Sequence, residues 1–114
     1  MSFIDFNKSK KVKIWEGVTG SLYHSANNTF LQATIEDGIS IPEHQHVHEQ
    51  WTCLIEGELE FSIDGEKQLL KPGMTAFIPS NIPHSANART RCRVIDCFTP
   101  VREDFVALEK QTTA

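Results

Sequence analysis

Turn signals recur so densely along this chain that long helices have no room to form. Asn27-Asn28, Asp37-Gly38, Glu56-Gly57, Asp64-Gly65 and Lys71-Pro72-Gly73 each separate two short stretches rich in apolar residues. These residue types supply the backbone angles that tight turns require. The stretches between them, at residues 22–24, 30–35, 50–55, 59–63, 66–70, 74–78, 84–87 and 91–98, read as strands. Leu59, Phe61 and Ile63 alternate with Glu58, Glu60 and Ser62, the period-two pattern of a half-buried strand. Asp64-Gly65 follows at once and predicts a tight hairpin. About eight to ten short strands, with a turn every 8 to 12 residues or so, imply an all-β sandwich or barrel. Only residues 102–110 leave space for a short C-terminal helix or tail, with Pro100 near its first turn.

The chain has 114 residues, which predicts one domain over residues 1–114 and excludes a separate cofactor domain. Its formal charge is −4, and its basic residues cluster only at Lys8, Lys10, Lys11 and Lys13, which read as a solvated arm. Nucleic-acid binding needs a stronger basic footprint, so no nucleic-acid partner is expected. No apolar run approaches the roughly 20 residues that cross a bilayer, so no membrane partner is expected either. Phe3-Ile4-Asp5-Phe6 is too short and too charged for a signal-peptide core, and a cytoplasmic location is expected. Cys53, Cys92 and Cys97 are odd in number and lack the C-x-x-C spacing, consistent with reduced structural cysteines.

In residues 50–55 the even positions face the interior if Gln50 does. Trp51, Cys53 and Ile55 then lie on the opposite face. A strand apolar on both faces must be covered twice. The N-terminal segment or a second subunit would provide that cover, and a homodimer is the expectation.

His44 and His46 stand two residues apart, so both imidazoles point to one face of an extended chain. Gln50 shares their parity, and His84 follows on a later strand after Pro79 and Pro83. Three imidazoles gathered at a barrel mouth suit one divalent transition metal such as Zn, Ni, Mn, Fe or Cu. An H-x-H pair alone is equally compatible with surface histidines. His48 has the same parity and competes as a ligand, although its place in a turn favours a substrate contact or a solvated ring. His24 reads as an ordinary strand histidine.

The surrounding glycines resemble the motifs of the cupin family. Gly38, His44-Gln45-His46, Gln50 and Gly57 follow its first motif, over residues 38–57, with Gln50 where the family usually carries Glu. Gly73, Pro79, Asn81 and His84 follow the second, over residues 73–87, with Asn81 replacing a glycine. Asn tolerates the left-handed conformation, so that replacement is mild. Asn87 falls one residue early for the motif's asparagine and reads as a strand residue. The resemblance implies a double-stranded β-helix, or jelly-roll barrel, with His44, His46, Gln50 and His84 as metal ligands. A neutral Gln ligand leaves the site more positive than Glu would, which suits Lewis-acid chemistry and an anionic substrate.

Asp96, Phe98 and Arg102 form a second constellation. Val94, Asp96 and Phe98 share one strand face, and a carboxylate between apolar residues is costly unless it is paired or working. Spacing alone also admits a structural ion pair of Asp96 with Arg102 or Arg91. The strings His46-Val47-His48-Glu49-Gln50 and Asp96-Cys97-Phe98-Thr99-Pro100-Val101-Arg102-Glu103-Asp104-Phe105 resemble the small cupins of the pectin-degradation type. That resemblance implies ring opening and isomerisation of a 4,5-unsaturated uronate, a small acidic sugar, to its linear keto form. Asp96, Phe98 and Arg102 would be the catalytic residues. The rival expectations are a metal-dependent dioxygenase and a non-enzymatic binder of a small acidic ligand.

Overall fold

The computed structural model describes residues 3–111. A 3-10 turn at Phe6–Lys8 leads into ten strands: β1 (Val12–Trp15), β2 (Val18–His24), β3 (Thr29–Ile35), β4 (Ser40–His44), β5 (Glu49–Glu56), β6 (Leu59–Ile63), β7 (Glu66–Leu70), β8 (Thr75–Ile78), β9 (His84–Ala88) and β10 (Cys92–Thr99). One helix, α1 (Glu103–Gln111), closes the described chain. All pairings are antiparallel. The strands form a six-stranded sheet in the order β1-β2-β3-β10-β5-β8 and a four-stranded sheet in the order β4-β9-β6-β7.

Alternation along the strands builds the core. Leu31, Ala33 and Ile35 of β3 face inward, as do Val94 and Phe98 of β10. From the other sheet Leu59, Phe61, Ala86 and Ala88 meet them. Leu54 and Ile78 are fully buried, and shortening either to Ala would cost about 2–5 kcal/mol. The predicted Asp64-Gly65 hairpin is present, with Ile63 paired to Glu66 and both turn residues at positive φ (50° and 84°). Such a turn matches the twist of its strands. Gly57 turns the chain from β5 to β6 at φ 94°, where an added Cβ would lie 2.4 Å from the Arg91 carbonyl oxygen.

Three expectations need correction. Residues 8–13 are not a solvated arm: Val12–Trp15 pairs with β2, Lys11 donates to the Phe6 carbonyl and the Ser21 hydroxyl, and Lys10 donates to the Glu109 carbonyl. The alternation of Val12 and Ile14 with Lys11 and Lys13 makes this an edge strand, and lysines there discourage pairing with another chain. His44, His46 and Gln50 do not share one face of an extended chain, because β4 ends at His44 in the four-stranded sheet, residues 45–48 turn, and Gln50 lies on β5 of the six-stranded sheet. The N-terminal segment does not cover the outer face of β5, where Trp51 and Ile55 remain 48% and 44% exposed.

Candidate metal centre

The site lies between the two sheets, where the edge strand β4 faces β10 across a cavity of about 520 Å³. Backbone contacts bring the predicted ligands together. His44 is paired with His84 across β4 and β9. The loop before β9 is tied to the loop after β4 by the Asn81 amide, which donates to the His46 carbonyl at 2.8 Å, and by the Ser80 hydroxyl, which donates to the Val47 carbonyl. Asn81 is at φ 62°, the left-handed conformation expected of a residue standing in for glycine.

The ring nitrogens of His44, His46 and His84 lie within 4.8 Å of one another. Each Nδ1 sits 2.8–2.9 Å from a backbone carbonyl: Pro42 for His44, His48 for His46 and Ile82 for His84. A carbonyl only accepts, so each Nδ1 carries its proton and each Nε2 presents a lone pair. This is the outer support that metal-bound imidazoles use. His84 Nε2 is buried without a hydrogen-bond partner. His46 Nε2 faces Gln50 Oε1 at 3.1 Å, so two acceptors point at each other. A cation between them satisfies both, and the donor set of three neutral imidazoles and an amide oxygen fits a divalent transition metal. Burial pushes His84 down to about 4 and lowers His46, with the nearby Arg102 charge adding to the effect on both. Both rings are therefore neutral, as ligands must be.

His48 stands outside this group. It occupies the bend between β4 and β5 with its ring 5.5 Å from that of His46, and its Nδ1 is buried without a partner. His24 is distant in role: its ring contacts the Thr29 hydroxyl at 2.9 Å and the Glu109 carboxylate at 3.3 Å, joining β2 to α1.

Asp96, Phe98 and Arg102 line the same cavity as His44, Gln50 and His84. The alternative ion pairs for Asp96 do not form. Arg91 faces Glu36 at 3.5 Å, and Arg102 grips Asp104 with two bonds, from Nε at 2.9 Å and Nη2 at 2.7 Å. Asp96 Oδ1 is buried without a partner. Burial pushes this carboxyl up to about 7, held back by the Thr52 hydroxyl and the Arg102 charge. The Phe98 ring meets His46 edge-on at 5.9 Å. Arg102 precedes α1: its carbonyl accepts the first helical bonds and its amide donates to the buried Thr29 hydroxyl at 2.8 Å. Its guanidinium lies 4.8 Å from the Phe98 centroid and 3.9 Å from that of Phe105. Stacking and the Asp104 fork hold the group flat, with Nη1 left for another anion.

The sequence reading missed Thr52, Asp104 and Phe105 as parts of the site. Thr52 shares the parity of Gln50 and was a visible inward polar residue. Asp104 and Phe105 carry no such signal, because only the start of α1 places them against Arg102.

This geometry defines a small barrel with three histidines able to hold a metal ion, and the comparisons give its family. Residues 31–98 match the cupin domain, and the chain belongs to the cupin family. Among its relatives is the pectin degradation protein KdgF of Dickeya dadantii (strain 3937), 33% identical over 69 residues. That match takes in 60% of this chain and 63% of the relative, so it spans less than two thirds of that protein. The structure of KdgF from Halomonas sp. superposes with a TM-score of 0.86 at 27% identity, covering 92% of this chain and 98% of that one. An RmlC-like cupin from Shewanella frigidimarina NCIMB 400 gives a TM-score of 0.87 at 26% identity, covering 92% and 96%. Among the described residues no helix is long and apolar enough to cross a membrane.

Proposed function

We propose that this cupin is a metal-dependent enzyme that opens and isomerises a 4,5-unsaturated uronate, or a similar acidic sugar, to its linear keto form. The observation that carries the reading is Asp96: a buried carboxyl, with one unpartnered oxygen and a pKa near 7, in the cavity that His44, Gln50 and His84 line. A group poised near neutrality both takes and gives a proton, whereas a simple binding pocket has no use for one. The likeness to two proteins named KdgF, one of them a pectin degradation protein, supports the substrate class.

His44, His46, Gln50 and His84 would hold a divalent ion, which supplies Lewis acidity at a substrate oxygen. Arg102 binds the substrate carboxylate through its free Nη1 edge, and Phe98 packs against the sugar and excludes water. The reaction leaves the formula of the sugar unchanged. The hemiacetal C1–O5 bond breaks as the C1 hydroxyl loses its proton, and the enol oxygen left at C5 becomes a ketone as C4 gains a proton. Asp96 moves that proton, and no electrons leave the substrate. A metal-loaded preparation is expected to bleach the ultraviolet chromophore of 4,5-unsaturated galacturonate faster than the spontaneous rate, and chelation should remove the acceleration. Full metal occupancy without acceleration would refute the substrate.

A further inference from the structure

Thr52 is 2% exposed and lies between two groups of the proposed site. Across β5 and β10 it is directly opposite Asp96, both residues are buried, and its hydroxyl is the neighbour that holds the carboxyl's pKa down against burial. On its own strand it stands two residues from Gln50, whose amide nitrogen donates to Thr52 Oγ1 at 2.8 Å. A hydroxyl has one proton and two lone pairs. Gln50 takes a lone pair, so the single proton is left for Asp96.

The reverse arrangement fails on satisfaction. If Gln50 turned its oxygen toward Thr52, the hydroxyl proton would be drawn to the amide, and Asp96 would lose it. Asp96 already has Oδ1 buried without a partner, and drawing the Thr52 proton away would leave the buried carboxyl without the one hydroxyl that faces it across the strands. Gln50 would then also point its NH2 at His46 Nε2, replacing an oxygen ligand by a group with no available lone pair. With Thr52 as observed, Gln50 Oε1 faces His46 Nε2 at 3.1 Å, where an ion bound by the histidines would lie.

We propose that Thr52 is a positioning residue: its hydroxyl selects which amide atom of Gln50 faces the metal and joins that ligand to Asp96 in one hydrogen-bonded chain. This rests on the reading of the site as a metal centre and not on the identity of the substrate. It also gives a neutral ligand at position 50 a structural reason. An amide has a donor to spare for Thr52, whereas a carboxylate would compete with Asp96 for the same proton.

The test is Zn(II) affinity, read by competition with a chromophoric chelator, for the folded wild type, Thr52→Val and Thr52→Ser. Valine keeps the volume and loses the hydroxyl; serine keeps the hydroxyl and loses the methyl. Thr52→Val is expected to bind Zn(II) about 10-fold or more weakly, in the range found for groups that orient metal ligands. Thr52→Ser should stay within about threefold of wild type, since its hydroxyl retains the orienting bond. Equal affinity of Thr52→Val and wild type overturns the proposal, as does a serine variant no better than valine, which marks a packing role. A wild type that takes up no Zn(II) refutes the metal reading itself and the proposal with it. Failure to act on the uronate leaves the affinity comparison intact and removes only the substrate.

Discussion

Relative to wild type, Asp96→Asn should gain stability in the metal-free protein as pH rises, from a net loss at acid pH to a net gain above neutrality. Burial places the folded carboxyl near 7, against 3.8 for the free group. Between those values the folded protein holds a proton that the unfolded chain releases, so stability falls as pH increases. The sign is opposite to that of a salt-bridged carboxylate. Stability is fully present below about pH 4 and is lost progressively up to about pH 7. Linkage with these two values gives a loss of about 1.5 kcal/mol by pH 5 and about 4 kcal/mol by pH 8. Asparagine removes this dependence and still accepts the Thr52 proton, but it buries an NH2 without a partner, at a cost of about 1–3 kcal/mol independent of pH. The stability difference between variant and wild type should therefore move by about 2.5 kcal/mol in favour of the variant between pH 5 and pH 8. Urea unfolding of both proteins in chelator at several pH values measures it, and every other titrating group cancels in the difference. A difference that does not change with pH would show that Asp96 ionises normally in the fold. It would also remove the argument for Asp96 as the proton carrier. The same substitution should abolish turnover while metal content stays intact; loss of both together would make Asp96 structural.

Three further outcomes follow from the site and the surface. Wild type should be stabilised by Zn(II), by about 2.7 kcal/mol at 100 times the dissociation constant, and His84→Ala should lose that gain, as calorimetry with and without the ion will read. Arg102→Lys keeps the charge but loses the fork and the stacking on Phe98 and Phe105, so KM for the uronate should rise about 10-fold with a smaller change in kcat; an unchanged KM would show that Arg102 does not hold the carboxylate. Phe30, Cys97, Trp51 and Phe77 align across four strands on the outer face of the large sheet, with Phe30, Trp51 and Phe77 each at least 39% exposed. We infer a homodimer through this row, so Trp51→Glu should shift light scattering from dimer to monomer, and a monomeric wild type at about 100 μM would refute it.

The fold was legible where one face of a strand is wet. β6 carries clean alternation, and Asp64-Gly65 marks its hairpin because only positive φ closes that turn. β4 escaped notice for the converse reason. Its residues Ser40–His44 are exposed or half-buried throughout, since the strand borders the open cavity instead of packing into the core. β1 was hidden by its lysines, which fit a flexible arm as well as an edge strand until the pairing with β2 is seen. The metal group was legible from its motif rather than from parity: β4 ends at His44, residues 45–48 turn, and Gln50 lies on β5 of the other sheet, so the fold brings all four residues together.

What sequence spacing could not supply is the set of contacts that decides how those residues work. Asp96 looked equally suited to an ion pair, and its role turns on Arg102 being held by Asp104, a neighbour that only the start of α1 brings round. With its nearest cation so engaged, Asp96 is left to burial, and burial favours the proton-bearing form. The site thus holds one buried, unpaired acid beside neutral imidazoles and an amide. A second carboxylate at position 50 would sit near Asp96 and raise its pKa further, keeping the acid protonated where the proposed reaction also asks it to release a proton. Gln50 avoids that conflict. Burial sets the poise of Asp96 and the Thr52 hydroxyl holds it back, and on the proposed reading that same hydroxyl orients Gln50.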